Sequence, residues 1–279
     1  MADSFGDRVA AAVAARGPLC AGIDPSAGLL AKWGLSDDAR GLRSFCGSCI
    51  EGFADAVAVI KPQVAFFERH GSAGMSELER LIAAATAAGL IVIADAKRGD
   101  IDSTAEAYAD AWLGEASALA VDAVTAHPYL GLGALTPLVR LGAANGRGVL
   151  VVARSSNPEG RGLQQATTSE GAAVEDMLLA EIAELNGSPD IPAGTVGAVI
   201  GATLEPSAFA LSQLGGVILA PGLGAQGAGP SDVATRFAGC RPGSVLPSSS
   251  RGLLNEGPDP ASLQRSARSL NRELAAAMG

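Results

Sequence analysis

A chain of 279 residues that is 48% hydrophobic and 18% charged has ample apolar material for one large core. No apolar run reaches the ~18 residues of a membrane span, and the opening MADSFGDRVAAAVAARG carries acids where a signal peptide places bases, so a cytoplasmic protein is expected. A net charge of −9 with no basic block argues against nucleic acid as a partner, and a small anionic ligand would need a few locally placed cations instead.

Short apolar runs recur along the chain, each followed by a stretch with helical spacing. In chain order the predicted strands are LCAGID (19–24), AVIKPQVAFF (58–67), LIVIADAK (90–97), AVDAVTAH (120–127), GVLVVAR (148–154), VGAVIGAT (196–203), GVILAPG (216–222) and SVLPSSS (244–250). Helix-like segments lie between them at 73–88, 102–113, 131–144, 170–186, 205–214 and 260–277. Strands alternating with helices indicate parallel β-α units. Eight of them suit an α/β fold of the (β/α)8 TIM-barrel type, one domain over 1–279, with a doubly wound open sheet as the alternative. No linker splits the chain. The one long polar connection, SSNPEGRGLQQATTSEG (155–171), follows the fifth strand and reads as a lid over the C-terminal face of a barrel.

Cys20, Cys46, Cys49 and Cys240 are too few for a disulfide framework. Cys46 and Cys49 form a C-x-x-C, but no second pair follows, and His70 and His127 lack zinc spacing. The pair falls in a predicted helix, where i and i+3 share a face, so buried thiols are expected rather than zinc or redox chemistry.

In a barrel, charges at the C-terminal ends of strands are candidates for chemistry. Here these are Asp24, Lys61, Asp95, Lys97, Asp100 and Arg251. Side chains two apart on a strand share a face, which predicts Asp95 and Lys97 together at the mouth above Ile91 and Ile93. Lys61 would join them from the neighbouring strand, and Asp102 is placed to N-cap the helix at 102–113. A structural salt-bridge network closing the barrel top explains this pattern as well as catalysis does. If the cluster is catalytic, a lysine between carboxylates keeps its proton. It is then a poor imine-forming nucleophile but a good general acid beside a developing anion. His127 in TAHPYLG faces the same end, and packing is its expected role.

PGLGAQG (221–227) contains G-x-G-x-x-G at Gly222, Gly224 and Gly227, yet no acid follows at the distance a dinucleotide fold requires. A glycine-rich loop after strand 7 with an arginine after strand 8 fits the barrel phosphate site. Its candidate ligand positions are Pro221, Gly222, Gly224, Gln226 and Arg251. Glycines let backbone N–H groups approach a phosphate, and Arg251 offers a bidentate partner. A glycine-rich turn beside a surface arginine is the plainer alternative.

DAKRGDI (95–101) resembles the D-x-K-x-x-D-I signature of the orotidine 5′-phosphate decarboxylase family. AGIDPS (21–26), VIKPQVAFFE (59–68), SSNPEG (155–160), PGLGAQG (221–227) and PSSSRG (247–252) are similar to its other motifs, in order. The ordering and loop lengths resemble the bacterial subgroup with the longer chain. The resemblance implies decarboxylation of orotidine 5′-phosphate to uridine 5′-phosphate, in pyrimidine biosynthesis, with no metal or organic cofactor. It implies that Lys97 protonates C6, that Asp95 lies beside the departing carboxylate, and that Lys61 holds Asp95 and the ribose. It further implies a homodimer with shared active sites, in which Asp100, Ile101 and Thr104 serve the neighbouring site. Asp24 would bind a ribose hydroxyl, Ser156 would read the pyrimidine edge, and Gln226 and Arg251 would hold the phosphate. Magnesium-dependent members of the superfamily carry a glutamate where this chain has Lys61, and a cation there would repel Mg2+. A non-catalytic nucleotide binder on the same barrel is the rival from another class.

Overall fold

The computed structural model describes residues 3–224 and 227–279. Eight parallel strands pair in chain order: β1 (Cys20–Ile23), β2 (Val59–Pro62), β3 (Ile91–Arg98), β4 (Ala123–Ala126), β5 (Gly148–Arg154), β6 (Val196–Ile200), β7 (Ile218–Pro221) and β8 (Val245–Ser249). β8 returns to β1 through Cys20–Ser248 and Ala21–Ser249, which closes the barrel and excludes the open sheet.

The helices are α1 (Phe5–Arg16), α2 (Ala27–Lys32), α3 (Ala39–Phe53), α4 (Ala65–Glu68), α5 (Gly71–Ala87), α6 (Asp102–Leu113), α7 (Thr136–Ala144), α8 (Arg161–Gln164), α9 (Val174–Gly187), α10 (Pro230–Arg236), α11 (Arg251–Leu254) and α12 (Pro260–Met278). None of the described helices is long and apolar enough to cross a membrane.

Strand alternation divides the apolar residues between two cores. Ile91 and Ile93 of β3, Leu150 and Val152 of β5, Leu219 of β7 and Leu246 of β8 fill the barrel interior. Residues of the opposite parity, such as Ile60, Val92 and Val124, pack outward against the helices. α1 plugs the N-terminal end of the barrel with Phe5 and Val9, one helical turn apart. Its Arg8 pairs with Asp122 and donates to the Gly146 carbonyl at 3.0 Å. The bottom is thus sealed by apolar side chains with one ion pair beside them. α3 buries Leu42, Phe45, Cys46, Cys49 and Phe53 along one stripe, so the C-x-x-C thiols are free and buried.

Several boundaries differ from the sequence pattern. The apolar run at 58–67 leaves the sheet at Pro62 and turns into α4, because Val64 and Phe67 are buried in the outer core at helical rather than strand spacing. The segment 131–144 divides into a 3-10 turn, Leu132–Leu135, and α7. No helix forms over 205–214, which has a single 3-10 turn at Leu211–Gln213. The Phe209 N–H there donates to Asp176 of α9 at 3.1 Å, satisfying outside the segment a donor that a helix would use internally. The polar connection 155–171 is not structureless: it holds a 3-10 turn, Pro158–Gly160, and α8, and Gln164 bonds back to Ser155.

Candidate active site

The inward positions nearest the C-terminal end of the barrel turn polar. Lys61, Asp95 and Thr125 succeed Val59, Ile93 and Ala123 on β2, β3 and β4, and all three are buried. Asp95 is the hub. Its Oδ2 accepts from Lys61 Nζ at 2.8 Å, and its Oδ1 accepts from Lys97 Nζ at 2.5 Å and from the Thr125 hydroxyl at 3.0 Å. Burial opposes ionisation of Asp95, but the Lys61 and Lys97 ammonium groups outweigh it and hold the carboxyl well below the usual carboxylate range. Burial likewise opposes the charge on Lys61, yet Asp95 and Asp24 hold its pKa above the ordinary lysine value.

Asp95 and Lys97 meet as expected, but alternation is not the reason. β3 pairs with β4 at Ala94–Val124 and next at Arg98–Ala126, so four steps along β3 face two along β4. Lys97 sits in this bulge with φ 48°, in the left-handed region. Bulges re-aim side chains. Here the bulge turns Lys97 into the mouth with 39% of its side chain exposed, against 10% for Asp95. Lys61 and Asp95 are thus buried in the wall of the mouth, and Lys97 is the most exposed of the three.

Asp24, after β1, has an Oδ1 that is buried without a hydrogen-bond partner among the described residues. Such an atom at the mouth awaits a donor. Asp100 lies outside the cluster: its Oδ1 accepts from the Ile101 N–H at 2.9 Å, and among the described residues no ion pair joins it to Lys61 or Lys97. Asp102 does not act as the N-cap. That position is Ile101, which has no side-chain acceptor, and Asp102 falls in the first turn, where its charge still favours the helix dipole. Ile101 is 50% exposed, Thr104 is exposed, and Tyr129 and Leu130 on the next loop are 79% and 54% exposed. His127 is pushed below the usual histidine range by desolvation and by Lys97, with Asp95 opposing.

Ser156, the second residue of the polar connection after β5, lies against Gly201, where an added Cβ would come within 3.1 Å of the Ser156 Cβ. Pro221 ends β7 opposite Ser248 of β8, which brings the loop beginning at Gly222 alongside the segment leading to Arg251. Gly222, Gly224 and Gly227 have φ of 118°, 74° and 94°, backbone that side chains with a Cβ rarely adopt. The Gly224 and Gly227 N–H groups are bonded within the loop, to the carbonyls of Ala228 and Gly224. Arg251 is exposed at the start of α11. Gln226 lies outside the described residues.

Two functional-looking features went unread in the sequence. Thr125 looks like an ordinary β-former inside an apolar strand. Arg154 ends β5 and forms a buried ion pair with Glu175 of α9, Nε to Oε2 2.9 Å. Among the described residues no group of three or more His, Cys, Asp or Glu side chains could hold a metal ion.

Residues 17–266 match a sequence profile described as the Orotidine 5′-phosphate decarboxylase / HUMPS family. The chain belongs to this family. It is 50% identical over 265 residues to the orotidine 5′-phosphate decarboxylase of Salinispora tropica and 48% identical over 266 residues to that of Streptomyces coelicolor, covering 95% of this chain and 95% of each relative. The crystal structure of a candidate orotidine 5′-phosphate decarboxylase from Streptomyces avermitilis superposes with a TM-score of 0.94 at 48% identity, over 99% of this chain and 96% of that one.

Proposed function

We propose that this chain is a carbon–carbon lyase that decarboxylates orotidine 5′-phosphate to uridine 5′-phosphate in pyrimidine biosynthesis, with Lys97 as the proton donor to C6. The observation that carries the reading is the Lys61–Asp95–Lys97 chain of ion pairs at the barrel mouth, in a chain half identical to named decarboxylases. Loss of carbon dioxide leaves an electron pair at C6 with no adjacent carbonyl or cofactor to delocalise it. A preorganised ammonium beside C6 stabilises that charge and then donates its proton, leaving a neutral amine that water reprotonates. Asp95, ionised and buried, holds Lys97 in place and lies beside the substrate carboxylate. Lys61 keeps Asp95 ionised and contacts the ribose.

Asp24, with its unsatisfied oxygen, takes a ribose hydroxyl. Ser156 reads the pyrimidine edge. Pro221, Gly222, Gly224, Gln226 and Arg251 hold the phosphate, and the connection at 155–171 closes as a lid, so that binding far from C6 fixes the reacting groups. The reaction needs no metal or organic cofactor. Lys61, ion-paired to Asp95, stands where a magnesium-dependent member of the superfamily carries an acidic ligand, and its charge opposes Mg2+. The working unit is a homodimer in which Asp100, Ile101 and Thr104 complete the neighbouring site; the exposed Ile101, Tyr129 and Leu130 beside the mouth support this.

The test is spectrophotometric turnover of orotidine 5′-phosphate by wild type and Lys97→Ala. Wild type should be active and insensitive to EDTA, and the variant should lose nearly all turnover while still binding uridine 5′-phosphate. An inactive wild type, or a strict Mg2+ requirement, overturns the assignment. Mixing inactive Lys97→Ala and Asp100→Ala chains should restore partial activity. No recovery despite demonstrated chain exchange refutes the shared site.

A further inference from the structure

We propose that Thr125 is the positioning residue that holds the proton donor in register with its carboxylate, an inference that rests on reading Lys97 as that donor. Regular pairing between β3 and β4 lapses between Ala94–Val124 and Arg98–Ala126, and Lys97 stands in the gap with a left-handed backbone. Such a conformation is strained in a non-glycine residue and persists where its surroundings over-determine it. The Lys97 N–H would be orphaned by the bulge. Instead it donates to Thr125 Oγ1 at 2.9 Å, so a side-chain oxygen stands in for a ladder carbonyl. The same hydroxyl spends its one proton on Asp95 Oδ1 at 3.0 Å, the oxygen that also accepts from Lys97 Nζ.

Thr125 is only 1% exposed and inward-facing, which makes its side chain a fixed strut. It closes a small ring: Lys97 backbone to Thr125, Thr125 to Asp95, Asp95 to the Lys97 ammonium. The ring couples the backbone of the donor to the orientation of its partner, and the tolerance for misplacement at a reacting centre is tight. An error of 1 Å can cost about a hundredfold in rate. Valine has the same shape but neither accepts nor donates, whereas serine keeps both functions.

Wild type, Thr125→Val, Thr125→Ser and Lys97→Ala are compared as full-length chains by steady-state turnover of orotidine 5′-phosphate and by binding of uridine 5′-phosphate. Thr125→Val should lower kcat by about a hundredfold, with KM and product affinity within about threefold of wild type. Thr125→Ser should stay within about fivefold of wild type in kcat. If Thr125→Val does not fold, Thr125→Ala, which removes the hydroxyl without adding bulk, carries the same expectation. A hydroxyl-free variant with near-wild-type kcat overturns the proposal, and so does a serine variant as slow as the valine one. If wild type does not turn over this substrate, the proposed function fails. If Lys97→Ala is dead and Thr125→Val turns over at near the wild-type rate, the function stands and the role of Thr125 falls.

Discussion

Arg154→Met tests how much stability is stored at the foot of the polar connection after β5. Arg154 ends the strand, Glu175 lies in the first turn of α9, and the two bracket the whole connection. Their side chains are 4% and 8% exposed with Nε to Oε2 at 2.9 Å, and Arg154 Nη1 also donates to the Glu205 carbonyl at 3.0 Å. Removing one partner of a buried pair costs about 3–5 kcal/mol, because the other charge stays buried. Arg236 moderates this: its guanidinium is pushed down by burial and by Arg154, and Glu175 acts on it in the opposite direction. Without Arg154, Arg236 compensates Glu175 in part, which favours the low end, about 3 kcal/mol, or about a hundredfold in the folding equilibrium. Urea unfolding followed by circular dichroism should show a midpoint lower by about 1 M or more at unchanged slope. The double variant Arg154→Met/Glu175→Met should recover most of the loss, since replacing both ions by apolar groups is often neutral. A single variant within about 1 kcal/mol of wild type, or a double variant no better than the single, refutes the reasoning.

Asp95→Asn should reverse the alkaline behaviour of Lys61. In wild type the raised folded pKa of Lys61 contributes stability that is full below its unfolded value, about 10.4, and lost as pH rises through the folded value. With Asp95 neutral, burial dominates and pushes Lys61 down, so the folded state sheds its proton first. The stability gap between variant and wild type should then shrink from pH 8 to pH 10; urea midpoints at the two values decide it, and a gap that widens overturns the account. Thiol titration checks the cysteines. Burial pushes Cys20 up to about 12 and also raises Cys46 and Cys49, whereas Cys240 is only half-buried. Ellman's reagent at pH 8 should therefore label Cys240 alone in the native chain and all four cysteines in denaturant. Rapid labelling of three thiols rather than one in the native state would show an accessible Cys46–Cys49 pair.

The strands were legible because each is a short apolar run bounded by turn residues, and a sealed barrel needs such runs on both faces. Their ends were not, since an apolar residue reads alike whether it continues a strand or begins a turn of helix, as Val64 and Phe67 do. The mouth charges Lys61, Asp95 and Lys97 could be named from their places at strand ends. What the sequence hid was the bulge, a property of how β3 pairs with β4, and with it the meaning of Thr125. Arg154 and Glu175 are likewise a tertiary pair, 21 positions apart with nothing local to mark them. For the loop after β7 the glycines mark a backbone that a phosphate could approach closely, but nothing in the sequence shows that two of their N–H groups are already engaged.

The bulge also bears on where the acids that follow β3 are placed. Within a chain, Asp95 pairs with two ammonium groups, Lys61 and Lys97, and Asp24 acts on Lys61 as a second carboxylate. The next acid on the segment, Asp100, is carried away from them by the turn at Gly99, where the backbone passes so close to the His127 carbonyl that a Cβ would come within 2.6 Å of its oxygen. That approach requires glycine, and it sends Asp100 and Ile101 to the exposed rim. In the proposed homodimer, a second copy that presents its rim to this mouth brings a further carboxylate beside the lysines, and the exposed apolar side chains of both rims are covered in the same step. The bulge that aims Lys97 inward is thus followed directly by the turn that aims Asp100 outward. A mutation that regularised the end of β3 should therefore lower turnover of orotidine 5′-phosphate and, if the proposed homodimer holds, weaken association in sedimentation as well; unchanged turnover overturns the argument.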